Sequence, residues 1–98
     1  MSYDVGLPNG DEINMTFNIR PMLDKAFGLK DWKEIQNHSS KEVAEKVAYA
    51  ICRMKANPKE YKKLEPENKW GTYEGTIEFL TTIFKACEEE SGGINIMT

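Results

Sequence analysis

The stretch YDVGLPNGDEINMTFN, residues 3–18, decides the expected fold of this chain. Residues 3–7 have the composition of a short strand, and residues 12–18 alternate between apolar and polar side chains with the period of a half-buried strand. Between them, the PNGD sequence at 8–11 is a turn signal, because asparagine and glycine tolerate positive φ. After Glu12, the polar side chains of the second segment are Asn14, Thr16 and Asn18. The sequence therefore predicts an N-terminal β-hairpin.

Two helices are predicted after the hairpin. Asn18 is expected to cap the first helix, and Gly28 is expected to end it. The second helix begins after Ser39, which forms a capping box with Glu42 and precedes apolar residues at helical spacing. Between the two helices, Trp32 is expected to fix a loop or a single helical turn to the core.

The second half of the chain predicts two more helices and a strand. Pro58 is suited to the first position of a short helix, with Asn57 as its cap. The last helix begins near Tyr73 and ends before the glycines at 92–93. Residues 94–97 are apolar and include β-branched side chains, so we expect a terminal strand that pairs with the hairpin.

These elements predict an α+β fold. The hairpin and the C-terminal strand form a small antiparallel or mixed sheet, which packs against three to four helices. At 98 residues the chain has the length of a single domain covering residues 1–98. Apolar residues make up 40% and charged residues 30%, which is typical of a globular protein and not of a disordered one.

Charge and composition narrow the possible partners and the compartment. The net charge of −3 and the pI of about 5.2 argue against a protein that coats extended nucleic acid. The N-terminus lacks the basic and apolar regions of a signal peptide, and no apolar run approaches the roughly 20 residues of a membrane span. Cys52 and Cys87 lie on the apolar sides of helices and are expected to be buried, reduced thiols. We therefore expect a cytoplasmic protein without a membrane partner.

The motifs of common catalytic sites are absent from the sequence. His38 is the single histidine, and it has no Cys or Asp at the spacing of metal ligands. There is no phosphate-binding Walker loop, no GxGxxG and no GxSxG. We therefore predict no catalytic residue, no metal and no cofactor, and hence a protein that is not an enzyme. A small nucleotide hydrolase is the enzymatic alternative.

The segment 57–75 is the main candidate for ligand binding. Lysines can neutralise a phosphate, an aromatic ring can stack on a base, and the free amides at the start of the last helix attract anions. The candidate contacts in this segment are Lys62, Lys63, Lys69, Trp70 and Tyr73. The alternative is that Trp70 and Tyr73 fill the core where the loop meets the helix.

A second group of candidates follows the hairpin. The polar side of the second strand leads to Asn18 and then to Arg20. The asparagine offers a donor and an acceptor, and the guanidinium can bind a phosphate or a carboxylate. The alternative is a polar sheet face in contact with solvent alone.

Three stretches carry a resemblance to a known family. NMTFN at 14–18, NPKEY at 57–61 and LEPENKWGTYEG at 64–75 resemble a family of short, largely uncharacterised proteins encoded by phages and prophages. The resemblance covers the chain from about residue 13 to its end. It implies a bacterial host cell as the setting. Small accessory phage proteins often counteract host defence, either by binding a defence protein or by sequestering a nucleotide signal.

Two binding functions follow as hypotheses. The first is a non-enzymatic phage-type protein that sequesters a nucleotide-derived signal, as a homo-oligomer, through the seven candidate residues named above. The second is an inhibitor or adaptor that binds a host defence protein through an exposed surface. Trp32 and the glutamates at 88–90 are the expected parts of that surface.

Overall fold

The N-terminal hairpin forms as predicted. In the computed structural model, which describes residues 2–68 and 70–98, β1 spans Ser2–Gly6 and β2 spans Glu12–Thr16, and the two strands are antiparallel. In the turn, the amide of Gly10 donates to the Leu7 carbonyl over 3.0 Å, and the amide of Leu7 donates to the Asp11 carbonyl over 2.8 Å. Two residues therefore oppose Leu7, which is a β-bulge with a glycine at φ +93°.

The C-terminal strand completes the sheet as expected. β3 spans Asn95–Met97 and pairs antiparallel with β1, so the strand order is β2-β1-β3. The central strand β1 alternates, with Tyr3 and Val5 buried and its other side chains only partly buried. One face of the sheet therefore packs on the core, and the other face is polar.

Helices cover the buried face of the sheet. Their bounds are Arg20–Phe27 for α1, Ser40–Ala56 for α2, Pro58–Lys62 for α3 and Tyr73–Glu89 for α4. Short 3-10 turns occupy Phe17–Ile19 and Trp32–Asn37. This arrangement is an α+β fold with an antiparallel sheet, which confirms the predicted fold class.

Helix ends follow the predicted caps in part. The Ser39 hydroxyl accepts from the Glu42 amide over 3.3 Å, and Gly28 ends α1 at φ +69°, as expected. The prediction that Asn18 caps the first helix was wrong, because Thr16 Oγ1 accepts from the Asn18 amide and starts the 3-10 turn. Asn57 precedes α3 without forming a side-chain cap.

Trp32 lies at the centre of the core. It is fully buried, and its ring centroid lies 5.0 Å from that of Tyr3, 5.9 Å from that of Phe79 and 6.3 Å from that of Phe27. This confirms that Trp32 fixes its segment to the core. The same burial contradicts the idea that Trp32 belongs to an exposed protein-binding surface.

The two cysteines differ in their surroundings. Cys87 is buried, as predicted, and burial raises the pKa of its thiol. Cys52 is exposed, so its predicted burial was wrong. It lies on the outer side of α2 next to Arg53, whose guanidinium lies 5.5 Å from the centroid of the exposed Tyr49 ring.

Candidate functional site

A polar cleft lies on the outer face of the hairpin. Its volume is about 380 Å³. The strands contribute from one side, and the loop between α3 and α4, residues 63–72, contributes from the other. The lining residues are Ser2, Asn14, Thr16, Asn18, Asn68 and Trp70. Hydroxyls and amides surround one indole ring, so the described lining offers hydrogen bonds and a flat apolar surface without an ionised side chain.

The strand side of the cleft is held by a cross-strand hydrogen-bond pair. Asn14 Nδ2 donates to Ser2 Oγ over 2.8 Å and to Asp4 Oδ1 over 2.7 Å. These two bonds use both amide hydrogens, so the acceptor Oδ1 of Asn14 stays available for a ligand. The Asn18 side-chain amide has no hydrogen-bond partner among the residues that the structure describes. The strand side therefore presents a fixed acceptor next to an uncommitted amide.

Trp70 forms the rim of the cleft and is the most exposed large apolar residue in the described part of the chain, at 71%. Its amide donates to Asn68 Oδ1 over 3.0 Å. The next residue, Gly71, has φ +98°, and a β-carbon there would lie 2.5 Å from Ile19 Cγ2 and 2.9 Å from Thr16 Cγ2. Glycine thus lets the loop lie directly against the end of β2, and this contact sets the position of Trp70.

Lys62 and Lys63 do not line this cleft. Lys62 Nζ lies 3.7 Å from Glu74 Oε1 and 5.3 Å from the centroid of the Tyr73 ring. Lys63 Nζ lies 3.5 Å from Glu60 Oε1 on the neighbouring turn of the chain. Lys69, also a candidate contact, lies outside the described residues. The two described lysines are thus paired with carboxylates on α3 and α4.

Tyr73 belongs to the core and not to the cleft. It is buried, and its hydroxyl donates to the Met54 carbonyl over 2.8 Å, which joins the start of α4 to the end of α2. Of the two aromatic residues in the 57–75 segment whose role the sequence left open, Tyr73 is therefore the core anchor and Trp70 is the exposed ring.

The buried phenol gives the fold a dependence on alkaline pH. Burial raises the pKa of Tyr73, because the low-polarity surroundings disfavour the phenolate, and Glu74 adds to the effect. The unfolded chain then ionises first, so stability is complete below the ordinary tyrosine pKa of about 10 and is lost as the pH rises through the folded value.

We expect Tyr73→Phe to remove this contribution. Urea unfolding between about pH 8 and pH 11 should show a smaller loss of stability in the variant than in the natural protein. The variant should also be less stable at neutral pH by about 1 kcal/mol, because the bond to the Met54 carbonyl is gone. Equal alkaline losses in the two proteins would contradict the assignment.

The start of α4 is closed by the chain itself. The Tyr73 amide donates to Glu65 Oε2 over 2.8 Å, and the Gly75 amide donates to Thr72 Oγ1 over 3.0 Å. These amides are the groups from which the sequence predicted an attraction for phosphate. A carboxylate of the preceding loop already occupies that position, so an external anion would have to displace Glu65.

Arg20 lines a different, smaller cleft of about 270 Å³ on another part of the surface. Its Nε donates to Asp24 Oδ2 over 3.1 Å, and this hydrogen bond is the main reason that the pKa of the guanidinium is raised. A second carboxylate, Asp31, lies 3.8 Å away. Arg20 is thus half-exposed and paired with two carboxylates, apart from the residues of the polar cleft.

Of the six candidate residues that the structure describes, it brings two together, Asn18 and Trp70. It adds Asn68, which belongs to the 57–75 candidate segment but was not predicted as a contact, and Ser2, which the sequence did not place at a site. The sequence had placed Asn14 and Thr16 on the polar face of the second strand, because apolar and polar side chains alternate there. Nothing in the sequence indicated that the 63–72 loop lies over that face.

Neither a three-residue metal site nor a membrane-spanning helix is found among the described residues. Within residues 2–68 and 70–98, no group of three His, Cys, Asp or Glu side chains is placed to hold a metal ion. No helix in the same ranges has both the length and the apolar character needed to cross a membrane. No protein-family model, curated protein or solved structure matches the chain.

Proposed function

We propose that this chain is a non-enzymatic binding protein of the phage or prophage type that sequesters a nucleotide-derived signal. The base of the ligand lies against Trp70, and its polar edge or its ribose meets the amides of the cleft. One observation supports this proposal above the others: an exposed indole, on a residue whose amide donates to Asn68 Oδ1, stands at the rim of a cleft lined with amides and hydroxyls.

The chemistry of the lining fits a neutral ring better than a phosphate. Stacking of a base on an aromatic side chain contributes about 1–3 kcal/mol and is available to every base. Asparagine amides pair with the hydrogen-bonding edges of bases, and hydroxyls pair with ribose. The described lining has no cation to neutralise a phosphate. The phosphate groups of the ligand are therefore expected to point out of the cleft.

The same lining supports binding rather than catalysis. General acid–base catalysis requires a group that gains or loses a proton near the working pH, and nucleophilic catalysis requires an activated nucleophile. Amide side chains do neither. The Ser2 and Thr16 hydroxyls of the lining accept hydrogen bonds from Asn14 Nδ2 and from the Asn18 amide, and neither of these donors is a base that could activate a nucleophile. The test for turnover is direct: ligand released from the denatured complex should be chemically unchanged, whereas recovery of a hydrolysed product would favour the enzymatic alternative.

Trp70→Ala tests the site. We expect a panel of mononucleotides, cyclic nucleotides and ADP-ribose-type molecules to include one that raises the melting temperature of the natural protein. For that ligand, calorimetry should show binding weakened about 10- to 100-fold in Trp70→Ala, because the stacking surface is removed. The melting temperature without ligand should barely change, since the ring is mostly exposed.

Tyr49→Ala is the matched control for this experiment. Tyr49 is another exposed aromatic residue, 60% exposed on α2, and it does not line the cleft. Its removal should leave the dissociation constant unchanged. The proposal fails if no member of the panel shifts the melting temperature, or if the two alanine variants bind the ligand equally well.

A second candidate function, inhibition of a host defence protein, is favoured by the exposure of the same residue. Tryptophan is enriched among the residues that dominate protein–protein binding. In that case Trp70→Ala should abolish stoichiometric capture of a defence protein from host lysate, while nucleotides have no effect on melting.

A further inference from the structure

The outer edge of β2 is an open strand edge whose pattern fits a copy of itself. The Leu7 amide donates to the Asp11 carbonyl, so these two residues form a hydrogen-bonded pair. Bonded and non-bonded pairs alternate along an antiparallel ladder, so the residues of β2 that bond to β1 are Ile13 and Met15. The N–H and C=O groups of Glu12, Asn14 and Thr16 therefore point away from β1. The described residues provide no backbone partner for these outward groups.

The other edge of the sheet is treated differently. By the same alternation, the outward groups of β3 belong to Ile96, and the Ile96 amide donates to Gln36 Oε1 over 3.0 Å. A side chain from the 3-10 turn Trp32–Asn37 thus closes the β3 edge. Among the described residues, no side chain bonds the outward backbone groups of β2 in this way, and the 63–72 loop meets the strand at its Thr16 end through side-chain contacts alone. The charged protection of β2 against strand pairing is limited to Glu12 at the other end.

We propose that β2 pairs antiparallel with β2 of a second copy of this chain, which joins two three-stranded sheets into one six-stranded sheet. The two-fold axis that relates the copies passes between the two Asn14 residues, so that Asn14 opposes Asn14 and Glu12 opposes Thr16 of the other copy. All the outward groups of the strand then form hydrogen bonds. The proposal does not depend on the proposed function.

The register is selected by the strand itself. An axis through Glu12 would place two carboxylates opposite each other and would pair Asn14 with Gly10, which lies in the turn. An axis through Thr16 would pair Asn14 with Asn18, where the chain has already entered the 3-10 turn Phe17–Ile19. The axis through Asn14 is the one that uses the whole of β2 without opposing like charges.

The side chains of this register are also complementary. Ile13 and Met15 point to the core side of the sheet but are only partly buried, unlike their β1 neighbours Val5 and Tyr3. In the paired strands, Ile13 of each copy lies opposite Met15 of the other, at a non-hydrogen-bonded position where side chains approach closely. Two apolar contacts therefore form beside the axis, on surface that a single copy leaves partly exposed.

Hydrogen exchange and sedimentation test the pairing in the natural protein. We expect sedimentation equilibrium to show a monomer–dimer equilibrium, and exchange at the amides of Asn14 and Thr16 to slow as the protein concentration rises. The amides of Ile13 and Met15, already bonded to β1, should not respond. A monomer at all concentrations up to about 1 mM would overturn the proposal. A dimer whose Asn14 amide exchanges at a constant rate would overturn it equally.

Ile13→Lys is the disrupting variant, because a lysine on the core side of an edge strand opposes strand pairing. It should weaken the dimer at least about tenfold. Ile51→Lys is the matched control, since Ile51 is also a partly buried isoleucine but lies on α2. It should leave the dimer intact.

Glu12→Pro is a second disrupting variant. It removes one outward N–H at the first residue of the strand, where proline is tolerated, and it provides the same test if Ile13→Lys does not fold. Unchanged dimerisation in whichever of these two edge variants folds would refute the proposed edge.

Discussion

Gly71→Ala is expected to lower the free energy of unfolding by about 3 kcal/mol. Two effects add at this position. The backbone has φ +98°, which disfavours any residue with a β-carbon by about 1–2 kcal/mol. The new methyl group would also lie within 3 Å of Ile19 and Thr16, and the overlap forces the 63–72 loop away from β2. Urea unfolding followed by circular dichroism measures the loss.

Gly10→Ala separates the two effects. Gly10 has nearly the same backbone angle, φ +93°, but a β-carbon there would meet nothing within 4 Å. Its substitution should therefore cost only the conformational part, about 1–2 kcal/mol. If the two alanine variants lose equal stability, the close contact of Gly71 with Ile19 is not important for the fold. Displacement of the loop should in addition change the fluorescence of Trp70 in the Gly71 variant.

Trp32→Ala is expected to have the largest effect on stability, a loss of about 3–5 kcal/mol. The indole is fully buried among Tyr3, Phe27 and Phe79, so its removal leaves a large cavity that these rings cannot fill without moving. Domains of this size are stable by about 5–15 kcal/mol, so the variant should unfold at a much lower urea concentration.

Trp70→Ala is the natural comparison, since the chain has two tryptophans and they lie at opposite extremes of exposure. Its removal should change the free energy of unfolding by no more than about 0.5 kcal/mol. A comparable loss in both variants would mean that Trp70 packs against the fold in solution, and the stacking surface assigned to it would not exist.

The elements of the fold could be predicted because their signals are local. The PNGD turn, the alternation of β2, the Ser39 cap and Gly28 each act within a few residues of where they stand. Their physical causes are backbone angles and hydrogen bonds that do not depend on the rest of the chain. The error at Asn18 is of the same local kind, because the Thr16 hydroxyl takes the capping role two residues earlier. Asn57 does stand at the predicted cap position of α3, but its side chain forms no capping bond.

The site could be predicted only in part because it depends on long-range contacts. The cleft exists where a loop more than 50 residues along the chain meets β2, and this meeting depends on the fit of Gly71 against Ile19. The sequence showed that Trp70 and Tyr73 are three residues apart, but not which ring turns inward. The lysines were chosen for their charge, and the partners that engage Lys62 and Lys63 became visible only in three dimensions.

The contact between Glu65 and the first amide of α4 has a consequence for salt and buffer. The carboxylate and the amide belong to one chain and are separated by only eight residues, so the carboxylate competes as a tethered ligand with a local concentration of about millimolar or more. Dilute phosphate or sulfate in solution cannot match that concentration. Anions below about millimolar concentration therefore leave the Tyr73 amide bonded to Glu65, and a ligand that does not displace this carboxylate gains its affinity from other groups on the surface.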